Sequence, residues 1–292
     1  MPKTKLNNYF HLHLLVFIWG FTGILGALIS IDAIPLVWYR MVLGTLFVIL
    51  YFIFKKKPFK VPPKALLKFL VGGILITTHW IFFFSAIKVS NVSVALVAMS
   101  TGALFTSIIE PIFFKRKLNG LELFFGLIVT SGLYLIFNFE TEYTLGIIYA
   151  LIATFLSALF TVLNGLYIRH YDAEVISVYQ LFFGALFISI YILVTKGFNY
   201  EDFSLSNSDF IYLIILSSIC TAYAFITSVK IMKYLSPYTV VLTINLEPVY
   251  AVILALIIFG EKEKMSLQFY IGALIILITV IANGILKNKK KA

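Results

Sequence analysis

Ten apolar segments divide the chain, near residues 10–29, 35–54, 66–86, 93–114, 121–137, 145–167, 175–195, 210–230, 237–259 and 267–286. Each runs for 17 to 23 residues, and the connections between them are mostly short polar turns, the longest lying between Lys196 and Asp209. At about 1.5 Å per helical residue, that length crosses a hydrocarbon core of roughly 30 Å. Hydrocarbon offers no partner to backbone N–H and C=O groups, so a spanning chain is either helical or a closed barrel. Continuous apolar runs without period-two alternation exclude the barrel. The sequence therefore predicts an all-α integral membrane protein with ten transmembrane helices. Only 12% of the residues are charged, against about 25% in a soluble domain, which excludes a water-soluble enzyme.

The charges that remain set the orientation. In the ten-span scheme 18 of the 23 Lys and Arg residues fall on one side, and five (Arg40, Lys88, Lys196, Lys262 and Lys264) fall on the other. Positive charge is retained in the cytoplasm, so both termini are expected there, in a multi-pass protein of the cell membrane. The net charge of +10 is read as topology and not as a nucleic-acid footprint. The first segment has about 20 apolar residues and no A-x-A site before Asp32, so it is taken as a span and not a signal peptide. Cys220 is the only cysteine, which leaves no disulfide framework and no Cys-based zinc site, and no cofactor is expected.

The chain also resembles itself. Tyr39 to Phe47 in span two aligns with Tyr179 to Phe187 in span seven at an offset of 140, with four identities in nine positions. Gly126 follows Lys115 as Gly272 follows Glu261, and Lys88 pairs with Lys233. Five helices is an odd number, so a second copy enters the membrane from the opposite side. The expectation is two inverted five-helix repeats, 1–143 and 144–292, the arrangement on which alternating-access transporters are built.

Several of these residues carry a likeness to a known family: Trp19-Gly20, Ala86-Ile87-Lys88, and the segment Leu246-Glu247-Pro248-Val249-Tyr250-Ala251 through Phe259-Gly260-Glu261-Lys262 to Gly272-Ala273. The chain resembles, over essentially its whole length, the EamA branch of the drug/metabolite transporter superfamily. The resemblance implies a central cavity lined by spans one, three, four, six, eight and nine. It also implies that small metabolites, often amino acids or their relatives, are moved out of the cell. The first half departs from the pattern, with Thr101-Gly102 where the offset of 146 places Glu247-Pro248, and Lys115 where Glu261 would stand.

Ionisable groups at bilayer depth are costly and face a bundle interior or a water-filled cavity. Glu247 follows Ser236 by 11 residues, about 16 Å into the membrane, and Pro248 beside it is expected to kink the helix and free the carbonyl of Ile244. Glu247 is read either as a substrate and proton site or as glue between helices. His79, with Trp80 and two threonines beside it, is the second candidate. Arg40 is expected to snorkel to the surface from span two. Helical spacing adds softer candidates for the cavity wall: Trp19 in span one, Asn164 in span six, Tyr223 in span eight, Thr243 and Tyr250 in span nine, and Thr101 at the matching place of span four.

No HExxH, GxSxG, paired-acid or Walker motif occurs in the sequence, so a membrane enzyme is disfavoured. The expected activity is a secondary transporter of a small-molecule substrate within the lipid bilayer, with proton coupling as an option. A lipid-linked flippase or an uncoupled facilitator is the alternative. In a background lacking Cys220, cysteines at positions 58 and 290 should label only from the cytoplasm and one at position 204 only from outside. Cytoplasmic labelling at position 204 overturns the ten-span scheme.

Overall fold

The computed structural model describes residues 3–56 and 61–289; positions 58 and 290, and with them Lys57, Lys60, Lys290 and Lys291 of the charge count, lie outside the described residues. The first half holds α1 (Lys3–Leu28), α2 (Ala33–Phe54), α3 (Pro63–Val89), a fourth span divided into α4 (Val92–Met99) and α5 (Gly102–Phe114), and α6 (Gly120–Phe139). The second holds α7 (Thr144–Tyr167), α8 (Ala173–Thr195) and the short α9 (Tyr200–Phe203) in the long connection. Then come α10 (Asn207–Ser217) and α11 (Ala224–Ile231), joined through a π-helical turn at Ser218–Tyr223. The ninth span is divided into α12 (Pro237–Ile244) and α13 (Glu247–Phe259), and α14 (Leu267–Lys289) is the tenth. Among the described residues nine stretches are long and apolar enough to cross a bilayer, and the tenth is apolar over Leu267–Thr279. The chain is a multi-pass all-helical membrane protein. No strand occurs among the described residues.

The ninth span breaks as Pro248 requires, although the interruption falls at Asn245–Leu246, ahead of the proline, which becomes the second residue of α13. The fourth span breaks at the corresponding place without any proline. There the Thr101 hydroxyl donates to the Ala98 carbonyl at 2.9 Å, a local bond that competes with the helix ladder, and Gly102 follows. The two breaks meet: a Cβ on Gly102 would sit 3.2 Å from Val241 and 3.7 Å from the Asn245 Oδ1.

The first turn of each broken span is completed from the opposite half. At α4, Glu263 accepts from the amides of Val92 and Ser93, both at 3.0 Å, and Asn91 accepts from Val94 at 2.8 Å. At α12, Glu110 accepts from the Tyr238 amide at 2.7 Å and Ser236 accepts from Thr239 at 3.3 Å. Glu263 is 3% exposed and Glu110 is 5% exposed. Each cap contributes about 1 kcal/mol, and the charge on the carboxylates adds to it at a helix N-terminus. Glu110 also pairs with Arg116, whose Nε lies at 3.4 Å.

Several packing contacts recur between the two halves. Helix α3 lies on α7 and α8, just as α10 and α11 lie on α1 and α2; α13 lies on α1 as α5 lies on α7; and α6 pairs with α14. The tightest approach is between α3 and α8, where a Cβ added to Gly73 would stand 2.6 Å from the Gln180 carbonyl oxygen and 2.9 Å from the Gly184 amide nitrogen. Backbone atoms cannot step aside as a side-chain tip can. Gly73→Ala should therefore lower stability by about 1–3 kcal/mol, read as a lower thermal midpoint in detergent. Gly120→Ala, where a Cβ meets nothing within 4 Å, should leave the midpoint unchanged.

Candidate functional site

A cavity of about 90 Å³ lies at the centre of the bundle, between α1, α2, α3, α7, α11 and the two broken spans. Its walls are largely aromatic: Trp19, Trp80, Phe83, Phe160 and Phe225. Polar groups reach it at a few points only, chiefly Glu247, His79, Arg40, Thr22, Ser157 and Thr161. A pocket with apolar walls and a small number of placed polar groups is the usual form of a small-molecule site.

Glu247 is 7% exposed and stands at the start of α13, where the break in the ninth span turns its side chain to the cavity. Its carboxylate also borders a recess of about 30 Å³ between the two helix breaks, shared with Ser100, Gly102, Asn245 and Pro248. The Nδ2 of Asn245 is buried there without a hydrogen-bond partner. On the facing wall, His79 Nδ1 lies 2.8 Å from the Ala153 carbonyl, which can only accept, so Nδ1 carries the proton of that bond. The ring lies nearly parallel to Phe83, with centroids 6.1 Å apart.

Arg40 does not snorkel. It is 1% exposed, and its side chain runs inward to the cavity. Its Nε donates to Thr221 Oγ1 at 2.7 Å, Nη2 donates to the Cys220 carbonyl at 3.4 Å, and the guanidinium lies 3.7 Å over the Trp80 ring. Burying a guanidinium costs several kcal/mol, of which a desolvated cation–π contact returns about 2 kcal/mol. Distance from the end of the span suggested the surface. Rotation about the helix axis decided otherwise, because Arg40 lies on the face of α2 that packs against the π-helical turn. The recurrence of a polar residue at the same repeat position, Gln180, was the available signal: Gln180 is also fully buried, donating to Asn164 Oδ1 at 2.8 Å.

The structure brings Trp19, His79, Trp80 and Glu247 to one cavity and places Pro248 on the adjoining recess. Thr101 is buried in the turn of the fourth span, bonded to Ala98. Asn164 braces α7 against α8 through Gln180. Thr243 is half-buried and bonds back to Thr239 at 2.9 Å, and Tyr250 packs edge-on to Phe17. Tyr223 is 44% exposed and faces a separate cleft with Asn8, His11 and Tyr234, because the π-helical turn rotates it away from Cys220, which does line the cavity. Thr22, on the same face of α1 as Trp19, lines the cavity too; Ser228 and the phenylalanines complete the lining and were not singled out by spacing. No group of three His, Cys, Asp or Glu side chains able to hold a metal ion occurs among the described residues.

The cavity extends past Ser228 toward Met232 and Val240, beside the α11–α12 turn. The other end is tied shut. There Asp209 accepts from both the amide and the hydroxyl of Ser30 at 2.7 Å, and the Lys88 ammonium donates to the Ile29 carbonyl.

The model of the EamA-like transporter family matches the chain twice, over residues 8–138 and 144–284. A protein of Clostridium kluyveri named an uncharacterized transporter is similar, 26% identical over 215 residues that make up 71% of this chain and 67% of that one. A second uncharacterized transporter, from Archaeoglobus fulgidus, is 24% identical over 267 residues, 89% of this chain and 91% of its own. A crystal structure described only as that of a protein shares the fold, with a TM-score of 0.70 at 16% identity over the full length of both chains. A bundle of apolar spans around a central cavity and a family match that runs nearly from end to end lead to one statement: the chain belongs to the EamA-like transporter family.

Proposed function

We propose that the protein is a secondary transporter that exports small metabolites, such as amino acids or related compounds, by alternating access, with proton coupling at Glu247 and no catalysed reaction. The observation that carries this reading is the placement of Glu247: a buried carboxylate at the helix break, open to an aromatic cavity and bonded to no described residue. A carrier that cycles a proton needs a group whose charge can change in both access states, and His79 is the other titratable group of suitable depth on this cavity.

The mechanism rests on reading residues 1–143 and 144–292 as two inverted five-helix repeats. The double family match and the packing contacts that recur between the halves both support that reading. With both termini cytoplasmic, as the Lys and Arg bias implies, the α11–α12 turn is cytoplasmic and the Asp209, Ser30 and Lys88 contacts close the outer face. The conformation is then inward-facing, ready to load from the cytoplasm of a cell whose plasma membrane holds the protein.

One observation favours a flippase as the second reading. An apolar crevice of about 210 Å³ runs between α13 and α14, beside the lipid-facing Ile253 and Leu274, as far as Ser100 and Asn245. A lipid-linked substrate would need such lateral access, but the crevice shares no lining residue with the central cavity.

Flux in proteoliposomes separates these outcomes. Amino acids and related metabolites are screened with and without a pH gradient, and the solute that moves is then followed in the Glu247→Gln variant. Gln keeps the shape and removes the titration, so the variant should insert normally and still exchange substrate, while gradient-driven accumulation is lost. Accumulation equal to that of the parent overturns the coupling role of Glu247.

A further inference from the structure

The transport reading uses Glu247 and His79 and leaves Arg40 without a task. Arg40 is the largest fully buried side chain among the described residues, and its surroundings hold it by one edge only. Nε and Nη2 are engaged by the π-helical turn, through Thr221 Oγ1 at 2.7 Å and the Cys220 carbonyl at 3.4 Å. The Thr221 hydroxyl gives its own proton to the Leu216 carbonyl at 2.7 Å, so it faces the guanidinium as an acceptor. Trp80 covers one face of the guanidinium plane at 3.7 Å. Nη1 is buried and has no acceptor. No carboxylate of the described residues forms a salt bridge with Arg40, and Glu247 interacts with it only through its field across the cavity. A π-helical turn is rare, and such turns concentrate at functional sites. Here it supplies the carbonyl and the hydroxyl that fix the guanidinium.

We infer that Arg40 is a carboxylate anchor for the transported molecule, with Nη1 as the group left free to bind it. A guanidinium N–H donating to a carboxylate forms a charge-assisted bond shorter and stronger than a neutral one. The remaining walls of the cavity are aromatic and apolar, which suits a compact organic body attached to that carboxylate. Glu247 on the same cavity disfavours a multiply charged anion such as phosphate. The inference rests on the transporter reading only in naming the bound molecule as cargo, and binding is measurable without transport.

Trp80 lies directly beneath the guanidinium and reports on it. In purified protein with Trp19→Phe and Trp38→Phe, Trp80 is the sole remaining tryptophan, and its emission is titrated with propionate, leucine, propionamide, leucinamide and inorganic phosphate. The two carboxylates should change the emission saturably. The two amides, which keep the body and lose the charge, should act only at concentrations higher by about tenfold or more. Arg40→Gln should abolish the carboxylate response, and Arg40→Lys should retain a weakened one. Amides as effective as their acids, a response to phosphate in place of carboxylate, no response to either acid, or an unchanged titration in Arg40→Gln would each overturn the assignment. The acid and amide comparison needs no variant at Arg40, so it stands even where that variant folds poorly. Counterflow in proteoliposomes is measured in parallel. A solute that moves while no carboxylate perturbs Trp80 refutes the anchor and leaves transport standing, whereas a carboxylate response without movement of any solute supports the anchor and refutes transport.

Discussion

Hydrocarbon provides no hydrogen-bond partner, and every irregularity in this bundle is arranged around that fact. A helix interrupted in lipid exposes amides and carbonyls at a cost of several kcal/mol each. The protein interrupts two of its spans nonetheless, and it sets the interruptions against each other, so that Gly102 faces Val241 and Asn245 across the interior. Residues at the two breaks then border a recess between them and, through Glu247, the central cavity. Irregular backbone at membrane depth is tolerated only in such places. A polar centre in so apolar a chain follows from the breaks and does not require many polar side chains.

Close helix contact makes this centre possible. In a membrane, helices gain little from hiding apolar surface, so association depends on backbones approaching closely. Glycine contacts provide that approach between α3 and α8, and again between α6 and α14, where a Cβ on Gly272 would lie 2.7 Å from the Gly132 carbonyl oxygen. Gly44 against Thr221 and Gly184 against Thr77 place the same pair of residue types in the same relation in each half. The same Gly–Thr contact thus recurs once in each half.

The spans were legible in the sequence because hydropathy in lipid is close to a one-dimensional problem. The ten predicted segments coincide with the helices apart from their ends, where caps such as Ser206 with Asp209 extend them. Pro248 announced one break. Thr101 hid the other, since a threonine hydroxyl bonding to Ala98 is a local choice that many threonines decline. Trp19, His79 and Trp80 reach the cavity because α1 and α3 are long and regular, which kept position along the helix readable, and Glu247 reaches it at the break beside Pro248. That argument failed for Tyr223, where the π-helical turn changes the rotation per residue. Arg40 was misplaced because depth along a helix axis is readable from sequence, while the face it presents depends on which neighbour packs there.

The caps on the broken spans differ in when they can form. A chain is synthesised from its N-terminus, so Glu110 already exists when Tyr238 enters the membrane, and α12 can be completed at once. The reverse holds at α4. Val92 waits for Glu263, 171 residues downstream, on the order of ten to thirty seconds at ordinary rates of synthesis. Through that interval the fourth span carries two amides that its own half leaves unpaired, and they are satisfied only when the chain is nearly finished. The two caps thus mature at different times: the first half can insert early, but its fourth span is completed only when the last loop before α14 reaches it, and a ribosome stalled before residue 263 leaves a bundle with an unfinished fourth span.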